Sequence, residues 1–79
     1  MTEATITLAN GEAVATTDPA WRDECFKRWE RVLSARGKTM GFVRTLLADV
    51  ERDEGPEAKR RLESALREDL AARREGAAK

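Results

Sequence analysis

"TDPAWRDECFKRWERVL", residues 17–33, gathers both tryptophans, one of two phenylalanines and the only cysteine of a 79-residue chain onto one stretch. Asp18-Pro19 reads as a helix start, the aspartate side chain accepting free amide hydrogens and the proline taking the first helical position without loss. Asp23 and Glu24 favour the same start. At about 100° per residue, Trp21, Val32, Cys25, Trp29, Leu33 and Phe26 fall in one arc of about 140°. This pattern predicts a helix over 19–36 whose apolar stripe faces a core, with Cys25 a buried, inert thiol and Gly37 the C-cap. The same count puts Arg22 inside the stripe, where a cation needs a carboxylate, an aromatic ring or an interface. Two readings follow, an ion pair with a later helix or an anchor at a partner surface.

Working outward, Thr5 to Thr17 reads TITLANGEAVATT, with alternating β-formers around Asn10-Gly11. Asn-Gly in that setting predicts a two-residue type I′ turn between strands near 4–9 and 12–16. A lone hairpin is marginal in water, so Ile6, Leu8 and Val14 should pack on the helices. After Gly37, Met40, Val43, Leu46, Leu47 and Val50 share one side of a second helix over 39–54. Gly55-Pro56 closes it. A third, over 57–74, carries a narrow stripe of Ala58, Leu62, Ala65, Leu66 and Leu70, and the tail from Arg74 to Lys79 is expected to fray. On its charged surface Glu57/Arg61, Lys59/Glu63, Glu63/Arg67 and Asp69/Arg73 stand at i, i+4. The expected fold class is α+β, an N-terminal β-hairpin packed on a three-helix bundle (ββααα), with residues 1–79 as a single small domain.

Composition narrows the chemistry. With no histidine and one cysteine, ordinary zinc ligation, a histidine-activated thiolate and an intrachain disulfide are all excluded. No phosphate-binding loop, dinucleotide fingerprint or nucleophile elbow occurs, and no cofactor or metal is expected. Asp23/Glu24, Asp53/Glu54 and Glu68/Asp69 read as solvated helix faces, because so short a chain has little room for a cleft between opposed carboxylates. No enzymatic activity is expected. The N-terminus lacks a basic and apolar leader and no stretch is long and apolar enough to span a bilayer, which points to the cytoplasm and away from membranes. A chain this small also buries little surface, which leaves a homodimer open.

Fifteen basic residues balance fifteen acidic ones, but unevenly along the chain. Residues 27–45 hold six cations and one acid, whereas residues 1–26 hold one cation and five acids. The candidate binding surface is therefore Arg22, Arg28, Arg31, Arg36, Lys38 and Arg44 around the first interhelix turn, with Arg60 and Arg61 opening the third helix. Such a cluster can meet phosphates in a nucleic acid. Interleaved acids and zero net charge make that the second reading, behind contact with another protein.

"TDPAWRDEC", "LLADVERDEG" and "EAKRRLESAL" together resemble an uncharacterised family of small bacteriophage and prophage accessory proteins. In that family a W-R-x-E-C element precedes a leucine-valine-glutamate helix, a glycine and an alanine-arginine-leucine helix. The similarity covers about residues 17–71, and "CFKRW" is more aromatic than the family pattern after its cysteine. The resemblance implies a phage accessory protein in a bacterial cytoplasm. It carries no activity, and by analogy such proteins act by stoichiometric contact with a host or phage protein, as inhibitors or modulators of a defence or regulatory complex.

Overall fold

The computed structural model describes residues 4–77, without the side chain of Ala77. Its elements run β1 (Thr5–Thr7), β2 (Ala13–Ala15), α1 (Pro19–Ala35), α2 (Met40–Glu54) and α3 (Pro56–Ala77). The strands pair antiparallel with Ile6 opposite Val14, and the α+β hairpin-plus-three-helix architecture is as the patterning predicts.

The hairpin differs from expectation in its turn. Gly11 has φ +93° while Asn10 has negative φ, so the two-residue type I′ turn does not form. Instead Gly11 N–H donates to Leu8 C=O at 2.9 Å and Leu8 N–H to Glu12 C=O at 2.7 Å, closing a three-residue loop with glycine in the left-handed position. The cause lies in two side chains. Asn10 Oδ1 accepts from Glu12 N–H at 2.9 Å, and Glu24 Oε1 of α1 takes Ala9 N–H at 2.7 Å. The strands are accordingly shorter than expected.

Asp18 caps α1 through Ala20 N–H, with Pro19 in the first turn, and Thr39 caps α2 through Phe42 N–H. Gly55 at φ +97° turns the chain in one residue, and Pro56 opens α3. α3 continues through Ala77 rather than ending near 74, because Ala71 to Glu75 are good helix formers with no stop signal before Gly76. The expected fraying at 78–79 lies outside the described residues, as do residues 1–3.

α2 and α1 both pack on α3. The core is Val32, Val50, Ala58 and Leu62, flanked by Leu46, Leu47, Ala65 and Leu66, with Leu8 buried beneath the hairpin. The Cα positions span 44 × 34 × 15 Å, a slab about one helix layer thick, so every helix keeps an outer face.

Candidate functional site

α1 is rotated against the sequence expectation. Its buried residues are Val32 and Ala35, and the half-buried polar residues Glu24, Arg28 and Arg31 share that side. The aromatic stripe points away. Phe26 is 60% exposed, Trp29 49% and Leu33 42%, while Trp21 and Cys25 are half-buried. Phe26, Trp29 and Leu33, expected in the core, stand outside it, Trp21 and Cys25 are partly covered, and Val32 alone of the stripe is fully buried.

Ion pairs set the rotation. Glu24 accepts Ala9 N–H, Arg28 at 2.6 Å and Arg61 of α3 at 2.8 Å, and Arg61 also donates to Thr7 C=O of β1 at 2.8 Å. Arg31 pairs with Glu54 of α2, and Arg36 with Asp69 of α3 at 2.6 Å. Glu24, Arg28, Arg31 and Ala35 lie on one side of the helix, and these bonds hold that side inward. Thus in each acidic dipeptide read as a solvated face, one residue (Glu24, Glu54 or Asp69) bridges elements instead. Burial raises the Glu24 carboxyl, but Ala9 N–H, Arg61 and Arg28 outweigh it and hold it below its ordinary value. Arg36 likewise keeps Asp69 low despite burial, and hydrogen bonds from Arg60 and Arg61 bring Glu57 down to about 2.

Most of the expected cationic surface is thereby consumed. Arg28, Arg31, Arg36, Arg60 and Arg61 all sit in ion pairs with the chain's own carboxylates. Among the described residues Arg22 and Arg44 are exposed and make none, so Arg22 does not form the ion pair with a later helix. Lys38 lies over the Phe42 ring at 5.7 Å, and Arg36 over Trp29 at 5.3 Å. The predicted Glu57/Arg61, Glu63/Arg67 and Asp69/Arg73 pairs form, whereas Lys59 pairs with Glu51 of α2 rather than Glu63.

What the structure brings together is an apolar face. Beyond the interhelix turn Met40, 68% exposed, and Phe42, 40% exposed, also stand in solvent. Met40 was expected on the inner side of the second helix, but it is the first residue of α2 and projects beyond the core. Phe42 lies off the α2 stripe. One signal for the row was available in sequence: Arg22, Phe26, Trp29, Leu33 and Arg36 are spaced 4-3-4-3, the seam of a helix that packs on another helix.

Two clefts accompany this face. One of about 500 Å³ runs between the hairpin tip, α1 and the α2–α3 turn, and its charged lining of Asp23, Glu24, Lys27, Arg28, Arg31, Asp53 and Glu54 is largely self-neutralising. Another of about 350 Å³ has a floor of Val32, Val43, Leu47, Leu66 and Leu70. Among the described residues no acidic or cysteine cluster could hold a metal ion, no buried polar side-chain atom lacks a hydrogen bond, and no helix is long and apolar enough to cross a membrane. No known protein family, curated protein or solved structure matches the chain.

Proposed function

We propose that this chain is a phage-type accessory protein that works by stoichiometric protein–protein contact, with the outer face of α1 as its contact surface, and that it modulates a host regulatory or defence complex in the bacterial cytoplasm. One observation carries the reading: Phe26, Trp29 and Leu33 stand in solvent at 42–60% exposure on a single helix face. Aromatic residues flanked by arginine are the side chains that dominate binding energy at protein contacts. An exposed apolar row on a chain with so small a core marks an interaction surface more readily than scattered apolar residues do. The neutralised arginines weaken the case for nucleic acid, and the phage resemblance supports the accessory role.

The test is capture from a nuclease-treated bacterial lysate, followed by identification of what is retained. Protein capture that survives nuclease and is lost with Phe26→Lys supports the reading. Arg28 and Arg31 hold the fold, so Lys38→Glu with Arg44→Glu is the fitting charge reversal. Binding to DNA or RNA that this pair abolishes, and that falls steeply with salt, overturns it.

A further inference from the structure

We infer that the occupant of the α1 face is a second copy of this chain, with the two α1 helices packed antiparallel about a two-fold axis. The inference rests on the reading of that face as a protein contact surface and names what covers it. Two observations select the occupant, a self-complementary heptad seam and unpaired charges at its edge.

The seam residues Arg22, Phe26, Trp29 and Leu33 occupy alternating heptad positions, conventionally d, a, d and a. An antiparallel pair stacks a against d. Placing the axis between Phe26 and Trp29 puts Phe26 of each chain beside Trp29 of the other, and Leu33 beside the aliphatic stem of Arg22. All four residues face outward, and the face repeats under its own two-fold, as an isologous contact requires. A parallel pairing would instead set Arg22 against Arg22 in the seam.

Charge points to the same arrangement. Among the described residues neither Arg22 nor Glu30 has an ion-pair partner, and eight positions along a helix separates them by about 12 Å, too far to meet within one chain. In the antiparallel pair Arg22 of one copy lies about 5 Å along the axis from Glu30 of the other, within the span of an arginine side chain. It also lies between the acidic edges formed by Asp23 and Glu30, which would otherwise repel.

The area sets the strength. Phe26 and Trp29, at 60% and 49% exposed, offer about 100 Å² each. With Leu33, the Arg22 stem and the flanking groups, each chain contributes about 400–500 Å², below the roughly 800 Å² per partner of a standard interface. The expected dimer is therefore reversible, with a dissociation constant of about 1–100 μM.

Sedimentation equilibrium on the full chain, from about 1 to about 500 μM, reads this directly. The mass should rise with concentration toward twice 8.8 kDa. Phe26→Lys should return it to monomer with helicity and thermal unfolding at dilute concentration unchanged, since Phe26 contributes little to the core. Arg22→Glu should weaken association at least tenfold. Mixing the Arg22→Glu chain with a Glu30→Arg chain should give a heterodimer tighter than either variant alone, because both cross-chain contacts then become opposite-charge pairs. A wild-type chain monomeric at the highest concentration overturns the inference, as does a dimer indifferent to Phe26→Lys or a mixture that forms no heterodimer. Monomeric protein that still captures another protein through Phe26 refutes the second copy while sparing the contact surface. Loss of both removes the surface itself.

Discussion

Replacing Glu24 tests the account of why α1 sits as it does. The carboxylate joins three elements: it accepts Ala9 N–H from the hairpin loop at 2.7 Å, Arg28 from its own helix at 2.6 Å and Arg61 from α3 at 2.8 Å. A backbone N–H deprived of a charged acceptor costs about 1.5–3 kcal/mol. The two ion pairs, with side chains 19–21% exposed, add at most about 1 kcal/mol each. Arg61 keeps Glu57 and Thr7 C=O, so the expected loss for Glu24→Ala lies near the lower end, at about 2–3 kcal/mol. For a chain of this size that lowers the midpoint of thermal unfolding by about 10–20 °C. Urea unfolding followed by tryptophan fluorescence at about 0.1 μM, below the expected self-association range, measures it. Acid supplies a second arm. Glu24 titrates below its ordinary 4.5, so its contribution is complete above that pH and fades as pH falls through the folded-state value. The deficit of Glu24→Gln relative to the parent should therefore shrink as acidification passes the folded-state value. A deficit under about 0.5 kcal/mol at neutral pH, or one indifferent to acid, would falsify the view that this carboxylate fixes the phase of α1.

Two contrasts check the rest of the packing. Leu62, 1% exposed, should lose about 2–5 kcal/mol on Leu62→Ala, whereas Trp29→Ala should cost under about 1.5 kcal/mol in dilute protein, against roughly 3–5 for a true core aromatic. A Trp29→Ala loss matching that of Leu62→Ala in chemical denaturation would return the stripe to the core. At Gly11, φ is +93° and nothing lies within 4 Å of where a methyl group would sit, so Gly11→Ala meets only backbone strain. Its expected cost of about 1 kcal/mol is measurable as a shift in the urea midpoint, and no shift would mean the loop relaxes to negative φ.

Element order was legible because it depends on local chemistry. Asp18-Pro19 and Gly55-Pro56 cap and break helices through atoms a few residues away, and each acts in the structure where the sequence places it. The turn at Asn10-Gly11 was not, since Ala9 N–H is claimed by a carboxylate fifteen residues on. The rotation of α1 failed for the same reason. A hydrophobic stripe locates the apolar face of a helix but not what that face meets, and the arginine–carboxylate bonds that turn it outward join residues 23 to 37 positions apart. Of the candidate surface, Arg22 and Arg44 stand exposed as a sequence reading suggests, while counting cations could not foresee that five of the eight would be spent inside the chain.

The phase of α1 can be weighed against its alternative. Turning Phe26, Trp29 and Leu33 inward would remove their remaining exposed surface from water, a gain of about 1–2 kcal/mol each. The same rotation would bury Arg22 without a partner, an uncompensated charge costing about 3–5 kcal/mol. It would also withdraw Glu24 from Ala9 and Arg61, and Arg31 from Glu54. Against those losses the apolar gain does not win, so the lone chain keeps the aromatic row outside. A second helix laid on that row changes the sum, because it buries the aromatic surface while the inner ion pairs stay in place and gives Arg22 a carboxylate to meet. The two sides of α1 thus ask for different neighbours, carboxylates and small apolar residues on one side and a helix on the other. The fold supplies only the first.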